Sequence, residues 1–146
     1  MTRSNAREIA VHLLFAQDFN GQSAKDALEA LTDSEYYPCL AEENSAYAER
    51  VNQKQRDYIV QLLEGISEHR QALDACIEDH AIGWKLSRIP KLSLAILRVA
   101  LYEIRYLEEV PDGVAVNEAV NLAKKYEDAE MAAYINGVLG SIVRQA

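Results

Sequence analysis

The run Leu92-Ser93-Leu94-Ala95-Ile96-Leu97-Arg98-Val99-Ala100-Leu101-Tyr102-Glu103-Ile104 decides the fold. Leu92, Ala95, Ile96, Val99, Ala100 and Ile104 recur at steps of three and four, the period of an amphipathic helix. It holds the most apolar stretch of the chain, yet Arg98 interrupts it and it is too short to cross a bilayer. It therefore reads as the central helix of a soluble bundle. Pro90 just ahead suits a helix start, where a missing N–H has no partner to lose.

Outward from this helix the period stays helical. Towards the N-terminus, Gly83-Trp84 to Pro90 is a connection, preceded by a helix carrying Leu73, Ile77 and Ala81. Before that, Tyr58, Ile59, Leu62, Leu63 and Ile66 share a face, with Gly65 tolerated among them. Residues 32–45 lose the pattern and contain Pro38, so they read as a loop, with helix returning near Tyr47 or Val51. Ser23 and Asp26 resemble a capping box for a short helix through Ala27, Leu28 and Leu31. Ala6, Ile9, Ala10, Leu13, Ala16 and Phe19 define a first helix over about 4–19, ended by Asn20-Gly21. Towards the C-terminus, Pro111-Asp112-Gly113 is a turn signal. A helix over about 115–126 turns Ala119, Val120 and Ala123 inward, and a last one uses Tyr134, Ile135, Val138, Leu139 and Ile142. No alternating strand pattern competes, so the fold class is all-α with about seven helices.

The chain has 146 residues, 49% apolar and 26% charged. This is ordinary globular composition, and the length predicts a single domain over 1–146. The formal net charge of −8 argues against a generic nucleic-acid binder. It is uneven, however: residues 26–50 hold seven acidic side chains and one basic, whereas residues 81–110 hold five basic and three acidic. Local potential steers ligands more than the total does.

The absences exclude several chemistries. Cys39 and Cys76 fit no zinc spacing and imply no disulfide framework, which suits a reducing cytoplasm. The N-terminus has Glu8 and His12 in its apolar stretch and lacks a signal-peptide core. Ile9, Ile66 and Ile77 stand three residues before His12, His69 and His80, so no Glu-x-x-His di-iron motif exists. HExxH, Walker A, GxGxxG and GxSxG motifs are missing too. No cofactor or metal is expected, and the histidines read as solvated or packing groups. Trp84 reads as a cap over a helix junction rather than a base-stacking ring, and Tyr102 and Tyr106 as core or rim.

Several short strings then occur together in a distinctive order. Ile96-Leu97-Arg98-Val99-Ala100-Leu101-Tyr102-Glu103 is followed by Val110-Pro111. Next come Asn117-Glu118-Ala119-Val120-Asn121-Leu122-Ala123-Lys124 and Tyr134-Ile135-Asn136-Gly137-Val138-Leu139. These resemble the ILRxAxYE, VP, NEAVxLAK and FVNGVL signatures of the NusB transcription antitermination family. Ala6-Arg7-Glu8 with Leu13-Leu14 resembles its opening motif, so the resemblance covers essentially the whole chain. It implies two packed three-helix sub-bundles with one additional helix. It also implies a non-enzymatic factor that pairs with the small-subunit ribosomal protein NusE and binds boxA-type single-stranded RNA. The pair then acts with the RNA polymerase antitermination complex, notably on ribosomal RNA transcripts.

Carried over residue by residue, the resemblance implies RNA contacts at Arg3 and Arg7 of the first helix, at Lys124 and at Tyr134. Aromatic rings beside basic groups are the usual grip on single-stranded RNA. Ser4, Asn5 and Ala133 stand where the family often has basic residues, and Glu127 where it often has Gly. Ser93 stands where it often has an acidic contact to NusE, so that contact is not carried over. These losses predict weak RNA binding by the chain alone, rescued by NusE. Physically, Arg98 in an apolar helix needs a partner, either Glu103 or a carboxylate on another helix. Asn117-Glu118 is expected at a helix start, and Gly137 is expected to let the last helix approach a neighbour closely. Two alternatives stand beside the main reading. One is a protein-interaction module on this fold with weakened RNA binding. The other is a detached NusB-like domain of a ribosomal RNA cytosine methyltransferase system. Monomer and homodimer are both left open.

Overall fold

Among the described residues, helices with both ends in view follow the predicted periodicities: α1 (Arg3–Asn20), α2 (Gln53–Glu68), α3 (Arg70–His80), α4 (Lys91–Tyr106), α5 (Asp112–Tyr126) and α6 (Ala129–Arg144). A 3-10 turn, Leu86–Arg88, lies in the connection before α4. The structure, a computed structural model, describes residues 3–21, 23, 25–27, 29 and 53–145, with backbone alone at 19 and 20. The expected loop over 32–45, the helix return near Tyr47, and Leu28, Leu31 and Cys39 lie outside the described residues. Among the described residues there is no strand, and the all-α expectation holds. No helix among them is long and apolar enough to cross a membrane. The chain divides into two compact units, Met1–Glu64 and Gly65–Ala146, with the boundary inside α2.

In the first unit α1 buries Ala6, Ile9, Ala10 and Leu13, the face its spacing defines. It stops at Gly21, whose φ of +68° is open to glycine without a Cβ penalty and whose N–H returns to the Gln17 carbonyl at 3.0 Å. Ser23 caps the next turn, its Oγ accepting the Asp26 N–H at 3.1 Å. Tyr58, Ile59, Leu62 and Leu63 of α2 complete the buried set.

In the second unit α4 packs against α3, α5 and α6, and α5 packs against α6. Surrounded this way, α4 buries an unbroken run from Ser93 to Glu103 instead of one stripe. An all-round apolar helix belongs in such a position. Arg98, 3% exposed, finds its partner on α3. Its Nε donates to Asp74 Oδ1 at 2.8 Å and its Nη2 to Oδ2 at 3.1 Å. The bidentate fork supplies the cross-helix carboxylate that the sequence left open.

Three local readings are corrected. Pro111-Asp112-Gly113 is a helix start, not a free turn. Pro111 is the N-cap, and Asp112 supplies the acidic charge for the first turn of α5. Asn117 and Glu118 therefore sit in the second turn. Gly137 meets no close approach, since a Cβ there would find nothing within 4 Å. The glycine that does is Gly65, where a Cβ would overlap the hydroxyl end of the Tyr102 ring.

The α6 start rests on Asp128, whose Oδ1 accepts the Met131 N–H at 2.7 Å. Asp128→Ala should cost about 1 kcal/mol and Asp128→Asn almost nothing, because Asn caps as well as Asp. Thermal unfolding followed by circular dichroism separates the two.

Candidate nucleic-acid interface

Arg3 and Arg7 occupy successive turns of α1 in the first unit, and both meet Tyr58 of α2. The Arg3 guanidinium lies 4.6 Å from the centre of the Tyr58 ring, within cation–π range. Arg7 Nη2 stands 3.5 Å from the Tyr58 hydroxyl, a long contact. Arg3 is exposed, whereas Arg7 is 2% exposed. Of the two arginines that the resemblance implies as RNA contacts, one lies at the surface and one is buried against a tyrosine. Sequence spacing placed Arg7 near the N-terminus of α1 but did not show which face it shares with Ala6 and Ala10. Tyr58 read simply as core, and its contact with both arginines was not foreseen.

Lys124 and Tyr134 belong to the second unit and line different hollows. Lys124 is exposed near the end of α5, beside a groove of about 680 Å³ that includes Val116, Val120, Ala133 and Arg144. Tyr134 lies on α6 and lines a cleft of about 280 Å³ with Trp84, Asp128, Glu130 and Met131. Its ring is half-buried, and its hydroxyl is buried without a hydrogen-bond partner among the described residues. Burial pushes that phenol above its ordinary pKa. A raised folded value means that stability is intact below about pH 10 and declines as pH rises through the folded value.

Trp84 follows the turn over 81–83 at the end of α3. Its ring contacts Tyr134 at 5.3 Å and 44°, yet it is 41% exposed. His69 and His80 make defined contacts. His69 stacks on Tyr106 at 4.2 Å. His80 bridges the Cys76 carbonyl and the Gln145 side-chain oxygen, each at 2.8 Å. Tyr102 is core, and Tyr106 is rim. Among the described residues no group of three His, Cys, Asp or Glu side chains is placed to hold a metal ion.

The model of the NusB family matches residues 4–144. The chain belongs to the NusB family. Its relative in Clostridium botulinum (strain Hall), named Transcription antitermination protein NusB, is 36% identical over 98% of this chain and 100% of its own length. The solution structure of NusB from Aquifex aeolicus is similar at 26% identity, with a TM-score of 0.69 over 97% of this chain and 87% of that one. A crystal structure of the antitermination factors NusB and NusE in complex with dsRNA shares the fold, with a TM-score of 0.77 at 24% identity. It covers 99% of this chain and 97% of the matched chain. Against the NusB pattern, the motif residues divide by depth. Arg98 and Glu103 are buried, while Lys124 and Asn136 lie at the surface.

Proposed function

We propose that this NusB-family chain is a non-enzymatic transcription antitermination factor that pairs with NusE and binds boxA-type single-stranded RNA, especially in ribosomal RNA transcripts. The observation that carries the reading is the family match along residues 4–144. It is supported by relatives of the same length named for antitermination. Residues 1–146 act as one RNA- and protein-binding module in the cytoplasm. Together with NusE they join the RNA polymerase antitermination complex.

The direct RNA contacts of this reading are Arg3 in the first unit, and Lys124 and Tyr134 in the second. Arg7 contributes from behind, by holding Tyr58 beneath Arg3. Few phosphate contacts follow from so few exposed cations, and a chain of net charge −8 gains little from long-range attraction. The burial of Arg7 also favours dependence on a basic partner.

Anisotropy titration of boxA RNA, with and without NusE and at two salt concentrations, tests this. The expected result is weak binding by the chain alone, a large gain with NusE, and a shallow salt dependence for the chain's own share. Tight binding without NusE would contradict the partner-dependent form. No binding in either case would remove RNA from the function.

A further inference from the structure

Trp84 is the chain's single tryptophan, and a large aromatic face left in water is unusual unless something covers it. Gly83 builds the turn that presents it, with a φ of +82° and the Trp84 N–H bonded to the Ala81 carbonyl at 3.0 Å. Tyr134 backs the indole at 5.3 Å. The rings already touch, so a flat molecule enters beside the indole and not between the two. The cleft there is about 280 Å³, lined by Trp84, Tyr134, Met131, Asp128 and Glu130. That is smaller than ordinary small-molecule pockets of about 300–1,000 Å³, and suits a single planar group.

The rim has a definite polarity. Asp128 and Glu130 are acceptors, and one Asp128 oxygen is already committed to the Met131 N–H. The remaining oxygens favour N–H donors and repel carbonyl edges and phosphates. Guanine offers two N–H groups side by side on its Watson–Crick edge, matching a carboxylate. Uracil flanks its single N–H with carbonyls.

Resting on the RNA-binding reading above, we infer that Trp84, backed by Tyr134, is the stacking wall of a subsite for one unpaired guanine. Asp128 and Glu130 read its N–H edge. In this arrangement Tyr134 backs the indole from one side, while the exposed part of its ring stays part of the RNA contact proposed above.

The test uses the full chain with NusE and two labelled RNAs, a uridine heptamer and the same heptamer with a central guanosine. Anisotropy gives affinity, and the emission of Trp84 reports stacking directly, with Trp84→Phe supplying the background. The guanosine heptamer should bind several-fold tighter and quench the tryptophan. Trp84→Ala should weaken it about tenfold, in line with stacking on one aromatic ring. Glu130→Gln should abolish the preference for guanosine. Equal affinities for the two heptamers, or wild-type binding by Trp84→Ala, would overturn the subsite. If boxA RNA binds while either result holds, the subsite fails and the RNA reading stands. If no RNA binds at all, both fail.

Discussion

Asp74→Ala lowers the stability of the chain by about 3 kcal/mol, at the lower end of the range for breaking a buried ion pair. Arg98 is almost wholly buried in α4, and the carboxylate it grips through two nitrogens is the feature removed. Asp74 is itself 21% exposed, so water enters and softens the loss below the upper end of that range. The double variant Asp74→Ala/Arg98→Met should be more stable than Asp74→Ala alone, because a methionine fills the volume without a charge to satisfy. Urea unfolding of the three proteins, read from midpoint and slope, decides this. A loss under about 0.5 kcal/mol for Asp74→Ala would place it with ordinary surface substitutions.

Gly65→Ala destabilises the chain as well, with the opposite sign to the usual rule. In the middle of a helix, Gly→Ala ordinarily gains about 1 kcal/mol, by reducing backbone freedom in the unfolded chain. Here the new Cβ would overlap Cζ and the hydroxyl of Tyr102. Tyr102 is buried, and its ring centre lies 5.1 Å from that of Tyr106 and 6.3 Å from that of His69, so it has little room to swing aside. Overpacking of this kind costs about 1–3 kcal/mol. The Tyr102→Ala background removes the obstacle, so the same Gly65→Ala change should become stabilising there. The expected coupling is about 2–4 kcal/mol, the difference between the two signs. A double-mutant cycle by thermal or urea unfolding measures it, and a Gly65→Ala protein more stable than wild type would show that the ring yields freely.

Much of the helical architecture was legible because it is local and repeated. The three-and-four spacing of Leu92 to Ile104, the Asn20-Gly21 stop and the Ser23 cap each act within one or two turns. The site was less legible. Arg7 and Arg3 are four residues apart and both meet Tyr58 of α2, yet one is buried and the other exposed. Trp84 read as a cap because the sequence shows an aromatic near a junction but not the solvent left around it. Gly137 drew attention through its motif, whereas Gly65, without one, is where a ring fills the space a side chain would need.

By itself the amino-acid order determined that the chain is helical, that it has the NusB pattern, and that Arg98 must be neutralised within the core. Those conclusions rest on periodicity, capping chemistry and desolvation, which depend on neighbours in sequence or on burial alone. Only the tertiary structure decided that Asp74 on a separate helix grips Arg98, that Gly65 makes room for Tyr102, and that Trp84 keeps an open face beside Tyr134. Each of those depends on which side chains from separate helices arrive at the same place. Contacts of that kind are set by helix packing and leave no fixed spacing in the chain.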